Sequence, residues 1–268
     1  MKTVALHQVS DGPAGAPPLL LGGSLGSTVE MWRPQLPALA EHHRVIRYDH
    51  RGHGGSPVPP GPYTVEQLGA DVLQLLDTLG IDRVDYAGLS LGGMVGMWLA
   101  ANAPHRINRL ALLCTAAYLP AEIGYRQRAT LVRAKGMADV VEPVLGRWFT
   151  EDFPERRRAP FRAMLAGAAP EGYAGCCEAI AALDLRPVLS KITAPTLVVA
   201  GALDPAIPPR YAGVIAAAVP GSRYVVLDRA AHLANVEQAD AVNRLLEAWF
   251  GIPAGTTGRG DIPKGATA

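Results

Sequence analysis

Gly88-Leu89-Ser90-Leu91-Gly92, preceded by Arg83-Val84-Asp85-Tyr86-Ala87 and followed by Gly93-Met94-Val95-Gly96-Met97, is the stretch that decides how this chain is read. The residues before it have the apolar, aromatic and β-branched character of a short buried strand. Those from 93 to 103 are mostly helix formers and end at Pro104. A G-x-S-x-G set between a strand and a helix is the signature of a sharp turn that lifts a serine hydroxyl above a sheet. The flanking glycines are needed because a side chain at 88 or 92 would crowd that turn. Ser90 is the candidate nucleophile. Leu91 follows it at a helix start, where a backbone N–H welcomes developing negative charge.

A serine nucleophile requires a base, and the base requires an orienting acid. After such an elbow these are expected in the order acid, then histidine. Downstream of Ser90 lie His105 and His232. His105 ends the first helix, too close to fold back over the turn, and reads as a solvated residue. His232 follows the apolar run Tyr224-Val225-Val226-Leu227 and a short loop, and precedes a helical pattern over 235–250. That is the strand-end position where catalytic groups of open parallel sheets collect. The acid is assigned to Asp204, which follows Thr196-Leu197-Val198-Val199-Ala200 in the loop Gly201-Ala202-Leu203-Asp204-Pro205. Asp228 and Asp184 are its competitors. Leu19-Leu20-Leu21 followed by Gly22-Gly23-Ser24-Leu25-Gly26-Ser27 supplies an early strand and a glycine-rich loop, so the second oxyanion donor is assigned to the Leu25 N–H.

The 268 residues suffice for one large α/β domain with an insertion, and 49% hydrophobic content supports a sizeable core. A net charge of +1 gives no electrostatic case for nucleic acid or a membrane surface. No run has the length of a membrane span, and the first ten residues lack a signal-like pattern. Three cysteines, Cys114, Cys176 and Cys177, have no metal-binding spacing and fit a reducing cytoplasm. No cofactor or metal is expected. His50 and His53, in Tyr48-Asp49-His50-Arg51-Gly52-His53-Gly54, lack further ligands and read as a structural turn beside the active site.

Strand-like runs at 4–9, 19–21, 45–48, 84–87, 110–113, 196–200 and 223–227 alternate with helical patterns at 35–41, 65–79, 94–103, 210–218 and 239–249. This alternation predicts a twisted, mostly parallel sheet with helices on both faces. Between 118 and 186 the pattern is helical throughout. That segment holds seven of the sixteen aromatic residues (four Trp, eight Tyr, four Phe) and several arginines, including Arg126, Arg128, Arg133, Arg147 and the run 156–158. It reads as a helical cap over the serine, inserted into a core formed by 1–117 and 187–252. An arginine inside an aromatic-lined pocket would select a carboxylate-bearing substrate. Residues 253–268 are Gly/Pro/Thr-rich and read as a flexible tail or linker.

Over residues 3–252 the chain resembles the α/β-hydrolases. More narrowly it resembles the 3-oxoadipate enol-lactonases of the β-ketoadipate route for protocatechuate and catechol. The narrower likeness lies in Ser24-Leu25-Gly26 with Met31-Trp32, Arg47-Tyr48-Asp49 through Gly54, Gly92-Gly93-Met94 with Gly96-Met97-Trp98-Leu99, and Gly136-Met137 and Arg147-Trp148-Phe149-Thr150 of the cap. Most α/β-hydrolases carry His-Gly in the oxyanion loop, where this chain has Gly23-Ser24.

The resemblance implies a small enol-lactone substrate bearing an acetate side chain. Ser90, His232 and Asp204 would open it through an acyl-enzyme. Ser24 would line its site, Arg133 would meet its carboxylate, and Trp148 would pack on its ring. The alternatives are a broad carboxylesterase or perhydrolase on the same triad, and a ligand-sensing receptor on a hydrolase scaffold. A homo-oligomer, or a carboxymuconolactone decarboxylase partner joined through the tail, is the expected association. A haloalkane dehalogenase is disfavoured because position 90 is not a carboxylate.

Overall fold

The structure, a computed structural model, describes residues 2–251; the tail at 253–268 lies outside the described residues. Seven strands form one sheet: β1 (Gln8–Asp11), β2 (Pro18–Gly22), β3 (Arg44–Tyr48), β4 (Val84–Leu89), β5 (Ile107–Leu113), β6 (Thr196–Gly201) and β7 (Arg223–Leu227). Their order across the sheet is β1-β3-β2-β4-β5-β6-β7. β1 runs antiparallel to β3, and every other neighbouring pair is parallel. The helices are α1 (Leu36–Leu39), α2 (Val65–Thr78), α3 (Leu91–Asn102), α4 (Tyr125–Lys135), α5 (Ala138–Trp148), α6 (Glu155–Ala166), α7 (Pro170–Ala182), α8 (Pro209–Ala218), α9 (Ala234–Glu237) and α10 (Ala239–Phe250).

The central strands are continuous apolar runs because helices cover both faces of the sheet. β4 and β6 are buried at every residue, whereas edge strand β7 alternates and leaves Tyr224 and Val226 exposed. α3 is buried through most of its length, so its sequence is apolar nearly all round. It lies so close to α2 that a Cβ on Gly69 would fall 2.0 Å from the Trp98 ring. α2 opens with a reciprocal capping box between Thr64 and Gln67.

Three expected elements differ. The strand expected at 4–9 begins only at Gln8, because upstream N–H groups bond side chains instead of a ladder. Val4 donates to Asp71 and His7 to Ser56 Oγ, each at 2.9 Å. The helix expected at 35–41 is a 3-10 turn, Val29–Gln35, running into the four-residue α1, with Pro34 inside the turn and a proline in the first turn of α1. The single pattern over 235–250 breaks at Gln238 into α9 and α10.

Helices α4 to α7 all fall between β5 and β6 in the chain. The chain leaves and rejoins the sheet at one neck, where Tyr118 bridges Asp184 and Leu185 donates its N–H to the Ala117 carbonyl at 2.8 Å. Parallel strands β2, β4, β6 and β7 all end on one side. The loop at 23–27, Ser90, the loop at 202–207 and the loop at 228–233 therefore gather along one edge.

Candidate active site

Ser90 sits between β4 and α3 with φ 55° and ψ −113°, a left-handed backbone that a non-glycine residue adopts only under strain. The surroundings enforce it. A Cβ on Gly88 would lie 2.3 Å from the Gly92 backbone, and one on Gly92 would lie 2.2 Å from the Gly22 carbonyl oxygen. Ser90 N–H donates to the Leu113 carbonyl at 2.9 Å, and Thr115 Oγ1 donates to the Ser90 carbonyl at 2.7 Å. Beneath the turn, the Tyr86 hydroxyl donates to the Gly92 carbonyl and pairs with the Tyr48 hydroxyl, both at 2.8 Å.

His232 and Asp204 are buried, and His232 Nδ1 lies 2.8 Å from Asp204 Oδ2. The other carboxylate oxygen accepts the N–H groups of Ala206 and Ile207 at 2.8 and 2.9 Å, which fixes the acid behind the ring. The competitor Asp184 is paired with Arg186 instead, and His105 is exposed. The backbone on both sides of His232 is also held. Ala231 N–H reaches Glu237 Oε2 at 2.6 Å, and Leu233 N–H reaches the Trp148 carbonyl at 2.9 Å. Glu237 takes the Thr150 N–H at 2.9 Å as well, so the end of α5 is tied to the histidine loop.

In the loop after β2, Ser24 N–H points to the Met31 thioether, Gly26 N–H to His53, and Ser27 N–H to the Ser24 carbonyl. Among the described residues, the Leu25 N–H of this run has no acceptor. On the other side, Gly92 N–H is taken by the Gly23 carbonyl at 2.9 Å. Leu91 N–H, at the first helical position, has no intrahelical carbonyl to bond.

Ser24, Leu25, Ser90, Trp148 and His232 line one cavity of about 420 Å³. Arg133 does not. It is bound to Glu171 and Glu178, with contacts of 2.8 Å to each, and joins α4 to α7 at the surface. The guanidiniums that line the cavity are Arg128, Arg147 and Arg210. None of the three has a carboxylate within salt-bridge distance among the described residues. Arg128 stacks over the Tyr125 ring at 4.8 Å. Burial, and then the charge of Arg128, push the Arg147 pKa below the usual arginine value. Tyr173 also lines the cavity, fully buried beside the Arg128 guanidinium, and among the described residues its hydroxyl makes no well-aligned hydrogen bond.

The helical phase at Tyr125 and Arg128, three apart, and at Val144, Arg147 and Trp148 was the available signal for these positions. Residues three or four apart share a face, whereas Arg133, five beyond Arg128, is turned roughly 140° away. Among the described residues no three His, Cys, Asp or Glu side chains are grouped to hold a metal. The same residues include no helix long and apolar enough to cross a membrane.

Known proteins are similar to this chain in sequence and in fold. Residues 17–239 match the family described as alpha/beta hydrolase fold. The chain is 41% identical over 249 residues to 3-oxoadipate enol-lactonase 2 of Acinetobacter baylyi, covering 91% of this chain and 92% of that protein. It superposes on the crystal structure of the enol-lactonase from Burkholderia xenovorans LB400 with a TM-score of 0.90 at 44% identity, covering 92% of this chain and 97% of the other. A thermophilic esterase from Thermogutta terrifontis, solved with malate bound, is 30% identical with a TM-score of 0.87, covering 92% and 93%. The chain belongs to the α/β-hydrolase fold family.

Proposed function

We propose that this protein, an ester hydrolase, hydrolyses 3-oxoadipate enol-lactone to 3-oxoadipate in the catabolism of protocatechuate and catechol. The observation that carries the proposal is one cavity lined by Ser90, an Asp204-backed His232 and three arginines that have no carboxylate partner among the described residues. A cavity with uncompensated guanidiniums suits a small acidic ester better than a neutral one. The similarity to two enol-lactonases adds the ring chemistry.

In this reading His232 takes the Ser90 hydroxyl proton as Oγ attacks the lactone carbonyl, while Asp204 keeps the imidazole oriented and stabilises its charged form. Leu25 and Leu91 N–H groups receive the oxyanion, each donor being worth roughly 3 kcal/mol in the transition state. Collapse breaks the ring C–O bond and expels an enolate, which takes a proton and ketonises. Water, deprotonated by His232, then cleaves the acyl-enzyme and returns the proton to Ser90. Arg128 and Arg147, in place of Arg133, would hold the acetate carboxylate, with the Tyr173 hydroxyl as a further donor and Trp148 against the ring. Helices α4 to α7 would serve as the cap that excludes water from the acyl-enzyme.

The second reading, a broad carboxylesterase, is favoured by the likeness to the Thermogutta esterase. A panel of 3-oxoadipate enol-lactone, an uncharged five-membered lactone and p-nitrophenyl acetate separates the two. The lactonase reading expects kcat/KM for the acidic enol-lactone to exceed the others by at least roughly 100-fold, the scale of one charge-assisted contact. Equal values across the panel would leave only the esterase.

A further inference from the structure

Two histidines that have no part in the triad grip the oxyanion loop. Residues 49–56 leave β3 and fold against the loop after β2, burying His50 and His53 almost completely. His50 Nε2 lies 3.1 Å from the Gly23 carbonyl oxygen, which can only accept. His53 Nε2 receives the Gly26 N–H at 2.9 Å and therefore carries no proton; its proton sits on Nδ1, 3.3 Å from the Arg51 carbonyl. The partners thus demand a proton on Nε2 of His50 and a neutral His53 protonated on Nδ1, the two rings lying 6.4 Å apart. Burial favours the neutral form of both, pushing His50 down to about 3 and His53 below its usual value.

The two contacts fall on the peptides either side of the Ser24–Leu25 peptide. That middle peptide has its carbonyl drawn to Ser27, which donates from both N–H (3.1 Å) and Oγ (2.7 Å). A trans peptide points its N–H opposite to its carbonyl, so the Leu25 N–H is turned away from Ser27. The Gly23 carbonyl held by His50 also accepts the Gly92 N–H at 2.9 Å, which joins this loop to the start of α3, where Leu91 lies.

We propose that His50 and His53 are positioning residues that clamp the peptides flanking Ser24–Leu25 and so aim the Leu25 N–H at the oxyanion formed on Ser90. The inference rests on the reading of Leu25 N–H as an oxyanion donor. The clamp uses one ring as donor and the other as acceptor: His53 cannot take a second proton without losing the Gly26 N–H, whereas His50 keeps its Nε2–H on the Gly23 carbonyl in either form. Helix α7 seals it: Cys176 Sγ lies 4.0 Å from His53 Nδ1, and Gly52 meets Gly172 closely enough that a Cβ on either would strike the other's backbone.

The test compares His53→Leu, which removes the acceptor, with His53→Gln, whose amide oxygen can still take the Gly26 N–H, and with Leu25→Pro, which removes the donor. Activity is followed on both the enol-lactone and p-nitrophenyl acetate. Loss of the aimed donor predicts a kcat about 10²-fold lower in His53→Leu with KM little changed, the effect of removing one oxyanion donor, and substantial recovery in His53→Gln. A kcat drop in Leu25→Pro but not in His53→Leu overturns the clamp alone, whereas no drop in either overturns the donor assignment beneath it. Histidine-labelled wild type gives a readout independent of folding of the variants. Nitrogen NMR, with the two rings assigned through their contacts with Tyr48 and Cys176, must show His50 protonated only on Nε2 and His53 only on Nδ1, unchanged from pH 8 to 5.5. The same tautomer for His50 and His53, or titration of either in that range, would refute the proposal.

Discussion

Position 90 has to meet two demands, a left-handed backbone and a hydroxyl above the sheet, and its neighbours supply both by having no side chains at 88 and 92. This was legible in the sequence because the constraint is local: a turn that tight leaves room for glycine and little else. The pairing of Asp204 with His232 was legible for a different reason, since each follows an apolar run that reads as a strand, buried in β6 and at the sheet edge in β7. Asp204→Asn keeps the shape of the pair but places an amide donor against His232 Nδ1. The expected outcome is a kcat lower by roughly 10⁴-fold with an unfolding midpoint close to wild type. The arginine was less legible, because composition names several in the segment and only helical phase separates them. Arg128→Ala is expected to raise KM for the acidic lactone by roughly 10- to 100-fold and leave p-nitrophenyl acetate hydrolysis unchanged. Arg133→Ala removes a half-exposed tie between α4 and α7 and should cost about 1 kcal/mol or less of stability with KM unchanged. Steady-state kinetics on both substrates with the two variants checks this, and an equal effect on both would contradict the assignment.

At the level of elements, periodicity carried most of the reading and backbone accounting explains where it failed. The buried runs that became β2, β4, β5 and β6 stand out because a sheet covered on both faces needs apolar residues at successive positions, whereas β7 is an edge strand of apolar but exposed residues. Residues 4–6 look equally apolar, yet Asp71 and Ser56 claim the N–H groups of Val4 and His7, and no pattern of hydrophobicity reveals that. The break at Gln238 is similarly hidden, since α9 and α10 each continue a helical pattern. Contacts between distant elements were the least visible. Gly172 of α7 lies on Gly52, with 2.0 Å separating a Cβ on Gly172 from the Gly52 carbonyl oxygen. Gly172→Ala should therefore push α7 off the loop that holds His50 and His53. Overpacking of this kind costs about 1–3 kcal/mol, which predicts a Tm lower by roughly 3–10 °C in a thermal melt, together with a reduced kcat. An unchanged Tm would mean that the two backbones separate freely.

For the molecule as a whole, the buried histidines set an acid limit. His50 faces His53, the Tyr48 ring and the Gly23 carbonyl, and burial, then the His53 charge, push it down to about 3. His53 and His43 are lowered as well, by burial first. The unfolded chain takes up these protons as pH falls through about 6.5, while the folded chain resists, so stability is full above that value and declines as pH falls toward 3. His50→Gln should flatten the dependence of unfolding free energy on pH between 6.5 and 4.5 by up to one proton, as read by urea titrations; an identical slope would place the acid sensitivity elsewhere. The central claim is that Ser90, served by His232 and Asp204, opens the ring of an acidic enol-lactone through a covalent acyl-enzyme. The most direct measurement is the loss of ultraviolet absorbance of enzymatically generated 3-oxoadipate enol-lactone, with wild type and Ser90→Ala side by side. Rapid multiple turnover by wild type and none above background by Ser90→Ala is the predicted result. Turnover that survives the substitution, or a wild type that leaves the lactone intact while hydrolysing p-nitrophenyl acetate, would contradict it.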